Sequence, residues 1–133
     1  MSLLLWLHLV GAAIWLGGLT ALAVAVVTGS RTLPREPFRR FVRTLGWAFA
    51  GLSALAWVLI AVPGLIMAAA LRWPELAVAK TGLGAAILLA SGLHVATARL
   101  TASRLAIVTS RALALAIFVA TLAVFWLGVQ LAS

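Results

Sequence analysis

The sequence predicts an all-α integral membrane protein, a four-helix transmembrane bundle occupying residues 1–133 as one domain. Three observations lead there. Of 133 residues, 65% are hydrophobic and only 9% are charged, with a mean hydropathy of +1.23. A soluble domain of this size carries far more charge. The apolar residues fall into four long runs, and a spanning helix needs about 20 of them. Short polar segments separate the runs, which leaves no length for a soluble domain.

The first span is expected over Leu3 to Thr28. It is read as a span and not as a cleavable signal, because it lacks a basic leading segment and a small-residue cleavage site. A polar loop should follow, with Gly29, Ser30, Pro34 and Pro37 and the arginines Arg31, Arg35, Arg39, Arg40 and Arg43 against Glu36. Phe38, Phe41 and Val42 between those arginines suggest a short amphipathic segment lying at the interface. The second span is expected over Leu45 to Leu71, kinked near its far end by Pro63-Gly64. A turn through Arg72, Trp73, Pro74 and Glu75 leads to a third span over Leu76 to Ala98, with Pro74 as an early residue of that helix. Arg99, Thr101, Ser103 and Arg104 form the last loop, and a fourth span covers Ile107 to Leu131.

Charge sets the expected orientation. The formal net charge of +8 would suggest nucleic acid in a soluble protein. Here the arginines flank spans, so they read as a topology signal, with contact to anionic lipid headgroups as a corollary and no nucleic-acid partner. The arginines gather around the first and third loops. Those loops are therefore expected in the cytoplasm and both termini outside. Trp6, Trp73 and Trp126 then fall near the outer interface and Trp47 near the inner one, as an aromatic belt would require.

The chemistry available is narrow. There is no cysteine, so disulfides, thiolate metal sites and iron–sulfur clusters are excluded. The two acids, Glu36 and Glu75, lie in loops on opposite sides, so no carboxylate pair can act together and no span carries a carboxylate for proton coupling. Apart from Arg111, near which the fourth span starts, three ionisable side chains lie inside spans: His8, Lys80 and His94. Such groups are costly in a bilayer and default to functional hypotheses. His8 and Lys80 enter from the same side at about 8 Å depth, and Met67 and Gln130 come up to that level. His94 lies roughly 21 Å further along the helix of Lys80, so the two histidines cannot share a metal or a haem. Small residues accompany these groups at helical spacing: His8, Gly11, Trp15 and Gly18 on the first helix, and Lys80, Gly84, Ile87, Ser91 and His94 on the third. Each also has a structural use, as a packing histidine, a lysine whose stem snorkels, or a core-filling methionine.

The run from Leu7-His8-Leu9 through Trp15-Leu16-Gly17-Gly18-Leu19 resembles the opening helix of the copper-resistance protein D (CopD) family: a histidine, a tryptophan seven residues on, then Gly-Gly-Leu. The stretch from Lys80 through His94 resembles that family's helix with a lysine at its outer end. Arg40-Phe41 through Gly46-Trp47, and Pro63-Gly64, fit loosely. The resemblance covers about residues 5 to 100. It implies a bacterial inner-membrane protein that moves copper across or into the membrane, a transporter more than an enzyme. Imidazole and thioether suit Cu(I), which makes His8 and Met67 the candidate metal ligands, with Trp15 packing beneath. The same histidine, tryptophan and lysine helix also resemble the HemJ family of haem-linked four-helix membrane proteins. That resemblance implies haem b with His8 as axial ligand and Lys80 beside the porphyrin. The chain departs from HemJ proteins after Trp15, with Leu16-Gly17-Gly18-Leu19-Thr20-Ala21 where they carry an aromatic and a Leu-Pro-Arg run. Abundant Gly and Ala also suit a homo-oligomer or a non-catalytic subunit of a larger membrane complex.

The orientation is directly testable. A reporter active only in the cytoplasm, fused after Ser133, should give no signal, and a strong signal there would reverse the topology.

Overall fold

The computed structural model describes residues 2–72, 75–100 and 104–132. They form four helices: α1 (Ser2–Thr32), α2 (Arg35–Ala70), α3 (Glu75–Leu100) and α4 (Arg104–Ala132). Each is long and apolar enough to cross a membrane, as a multi-pass membrane protein requires. At 1.5 Å per residue, α1 and α2 run about 46 and 54 Å, against roughly 30 Å of hydrocarbon. Both therefore continue past the apolar layer. Large apolar side chains cover the outer faces, among them Leu89 at 76% and Leu3 at 67% exposure. Water would penalise such a surface, whereas lipid accepts it. Hydroxyls inside the helices bond back to their own turns, as Ser53 does to the Phe49 carbonyl at 2.6 Å and buried Thr121 to that of Ile117 at 2.8 Å. Hydroxyls bonded in this way need no partner from lipid.

The chain divides into two compact units, residues 1–70 and 71–133. The first is an antiparallel hairpin of α1 and α2. Its contacts run in opposite directions along the two helices: Gly11 meets Ala56, Leu59 and Ile60, Gly18 meets Phe49 and Leu52, and Gly29 meets Phe38 and Phe41. The stripe of α1 that holds His8, Gly11, Trp15 and Gly18 is the one that faces α2. Lipid tails are as apolar as leucine, so close van der Waals packing must hold such helices together. The tightest approach is at Gly11, where an added Cβ would stand 2.7 Å from the Leu59 Cβ and 2.8 Å from the Ala56 carbonyl oxygen.

The polar segment after α1 is shorter than its composition suggests. The expected loop over residues 29–43 is helical except at Leu33 and Pro34, and α2 starts at Arg35, ten residues before the expected Leu45. Leu33 donates to the Gly29 carbonyl at 2.9 Å and Phe38 to that of Pro34 at 3.0 Å, closing α1 and opening α2. Pro37 sits in the first turn of α2, where no intrahelical N–H is required. Phe38 and Phe41 dock on α1 around Gly29, so they belong to the hairpin and not to a separate interfacial segment. Pro63 does not break α2, which is continuous to Ala70.

The second unit pairs α3 with α4. Among its described residues, Ala77 and Ile87 of α3 and Ile117 and Thr121 of α4 are buried. Lys80, Gly84, Ser91 and His94 are half-buried along the same stripe of α3 as Ile87. The turn after α2 passes through Arg72, whose φ of 56° is left-handed. The expected roles of Trp73 and Pro74, and the loop residues 101–103, lie outside the described residues. Arg99 and Arg104 fall at the ends of α3 and α4 and not in a longer loop.

Packing at Gly11 gives a matched pair of substitutions. Gly11→Ala should cost about 1–3 kcal/mol, because backbone and Cβ atoms have to separate. Gly17→Ala, with nothing within 4 Å of its added Cβ, should be neutral or gain up to about 1 kcal/mol. Reversible unfolding in mixed micelles would measure both.

Candidate functional site

The first hairpin is the better defined place for chemistry. Proline at position 63 has no N–H, so the Leu59 carbonyl lacks its helical donor and the ring crowds it. Backbone groups inside a bilayer have no water to turn to, and neighbouring helices commonly supply the missing partners around such prolines. Beside this defect, the next carbonyl along, that of Ile60, accepts a hydrogen bond from His8 Nδ1 at 2.8 Å. Gly64 makes room for the ring: a Cβ there would come within 3.1 Å of both Cε1 and Nδ1 of His8. Proline and glycine together thus shape α2 to receive one imidazole from α1.

This contact sets the protonation pattern. A carbonyl can only accept, so Nδ1 carries the proton, and in the neutral ring the lone pair belongs to Nε2. Metal-binding histidines are held in the same way, one nitrogen donating to a carbonyl and the other facing the metal. Met67 stands one turn beyond Gly64, about 5 Å along α2, and is half-buried.

Two turns below His8, Trp15 is 5% exposed. It stacks on Phe49 at 5.9 Å between ring centroids and meets Trp57 edge-on at 5.3 Å. These rings close the hairpin beneath the histidine. Trp57 Nε1 is buried with no hydrogen-bond partner among the described residues. Trp57 and Phe49 were not foreseen as part of this region. The helical spacing of Trp57, Ile60, Gly64 and Met67 on α2 was the available signal.

Lys80, His94 and Gln130 belong to the second unit. Lys80 is half-buried and reaches across to α4: its Nζ lies 2.9 Å from where a Cβ on Gly128 would stand. Gly128 lies in the closing turn of α4, where carbonyls without helical donors carry the negative end of the helix dipole. The lysine thus has a structural account, its side chain laid against α4 at Gly128 near the end of that helix. Gln130 is exposed in the same turn. His94 is half-buried, fourteen residues beyond Lys80 on α3. Next to it, Leu93 lines a shallow apolar cleft with Thr109, Ala112, Leu113 and Ala116. Among the described residues no three His, Cys, Asp or Glu side chains come together as a metal cluster. Any metal would have to rely on other donors as well, such as thioether.

Compared with known proteins, the chain matches no protein-family model, no curated protein and no solved structure.

The tautomer can be read directly. Nitrogen-15 spectra of the neutral His8 imidazole should show Nδ1 protonated and Nε2 unprotonated. The opposite tautomer would mean that the Ile60 carbonyl is not its partner.

Proposed function

We propose that this protein handles Cu(I) in a bacterial inner membrane, in the manner of the CopD family that its first helix resembles. The observation that carries the reading is the hydrogen bond from His8 Nδ1 to the Ile60 carbonyl beside Pro63-Gly64. It fixes the ring with Nδ1 as the donor, so a metal would be bound through Nε2. Met67, one turn beyond Gly64, would add a soft thioether of the kind that selects Cu(I) over harder ions. A site with few strong donors suits an ion that must be passed on, since binding has to be weak enough for release. By the arginine count, this end of the hairpin faces the outside, so the metal is taken up or released there.

The same hydrogen bond would equally orient an axial haem ligand, which supports haem b as the second reading. Absorption spectra of the purified protein distinguish the two. Copper handling predicts no Soret band and Cu(I) retained in equilibrium dialysis. His8→Ala should abolish that retention, and Met67→Leu should weaken it by about tenfold or more while keeping the side-chain volume. His94→Gln should leave it within about twofold. A Soret band lost in His8→Ala and weakened in Lys80→Met, but indifferent to Met67→Leu, would assign haem instead. Binding of either ligand undiminished in His8→Ala would remove the site from this hairpin altogether.

A further inference from the structure

We infer that the first turns of α2 form a binding site for one anionic phospholipid, with Arg39, Arg40 and Arg43 holding its phosphate. The inference is independent of what His8 binds. Phe38, Phe41, Phe49, Leu52 and Ala56 pack against α1. At 3.6 residues per turn, Glu36, Arg39, Arg40 and Arg43 then fall on the opposite side of α2. These four residues line one crevice, and all four are exposed. Three guanidinium groups face one carboxylate there, so the crevice is cationic. Glu36 does little to neutralise it: its only described ion pair, to Arg40 Nε, is 3.6 Å long, with side chains 74% and 64% exposed. Guanidinium groups clustered in this way match the oxygens of a phosphodiester, which they can grip in pairs.

The surface below the crevice argues for a lipid over a free anion. Trp47 lies one turn past Arg43 on the same face and is 65% exposed, as a residue at the headgroup boundary would be. Ala50, Gly51 and Ala54 continue that face and are exposed, and the space about Gly51 is open. These small side chains leave a low apolar strip on α2 between the exposed side chains of Trp47 and Val58. From Arg43 to Ala54 is eleven residues, about 16 Å, close to one leaflet of hydrocarbon. A cationic crevice followed along the same face by an exposed apolar strip fits a molecule with a phosphate at one end and acyl chains at the other. Charge complementarity sets the headgroup as anionic, phosphatidylglycerol in the simplest case.

Native mass spectrometry of the full-length protein in neutral detergent tests this with phosphatidylglycerol, phosphatidylcholine of the same chains, and inorganic phosphate as probes. Phosphatidylglycerol should be retained over phosphatidylcholine by about tenfold or more, and inorganic phosphate should not displace it. Each arginine near an anionic headgroup is worth about fivefold, so replacing Arg39, Arg40 and Arg43 together by Gln should reduce retention by roughly a hundredfold. Arg72→Gln, in the turn just past the other end of α2, should change it by less than about twofold. Two further variants probe the parts separately and leave the arginines in place. Glu36→Gln should tighten phosphatidylglycerol, and Gly51→Phe should weaken it by filling the open space over this strip without touching a charge. Equal retention of the two lipids would overturn the inference, as would displacement by inorganic phosphate, which would mark a free-anion site. Losses from Arg72→Gln as large as from the triple variant would reduce the effect to diffuse charge and overturn it too. If the triple variant does not fold, indifference to both Glu36→Gln and Gly51→Phe has the same consequence.

Discussion

The first hairpin depends on how closely α1 can approach α2 at Gly11. Between helices in lipid there is no solvent to expel, so dispersion contacts and interhelical hydrogen bonds must supply the attraction, and both fall off steeply with distance. With hydrogen in place of a side chain, Gly11 lets α1 settle on the backbone of α2 at Ala56 and Ile60. At that separation, His8, nearly one turn earlier, reaches the Ile60 carbonyl, and Trp15, one turn later, lodges against Phe49 and Trp57. A wider gap would lose the packing and the hydrogen bond together. The aromatic cluster and the histidine therefore share one geometric cause.

The two ionisable side chains that look alike in the sequence are held by different physics. His8 is fastened by a specific backbone bond beside a proline, in a slot that Gly64 leaves open. Its orientation follows from that bond, which is what a ligand site needs. Lys80 rests against Gly128 in the closing turn of α4, where the field of the helix end favours a cation without selecting a particular partner. Lysine at such a position stabilises its own hairpin whether or not a ligand is present. This difference is why the functional reading rests on the histidine.

At the other end of the first hairpin, the same rules that bury one face of α2 expose another. Phe38 and Phe41 close around Gly29 and prolong the helix pair beyond the hydrocarbon, which turns what looks like a loop into a helical post. The arginines are then displayed at helical spacing on a rigid surface, so their charges add at one place. In a flexible loop the same charges would orient the protein in the membrane but select no particular lipid.

The sequence by itself determined the number of helices, their apolar character and which stripes turn inward. Those properties follow from hydrophobic run length and from the 3.6-residue period, and both can be read from one chain alone. His8, Gly11, Trp15 and Gly18 on α1, and Lys80 through His94 on α3, were legible in this way. The start of α2 at Arg35 was not. Arginine and proline are common in loops, and only the docking of Phe38 and Phe41 on α1 makes that segment a helix. The partner of His8 was also hidden, because it is a backbone carbonyl, and every residue carries one regardless of its side chain. Gly64 and Gly128 were illegible for a related reason: their contribution is empty space, and which side chain fills it is decided only when two helices come together.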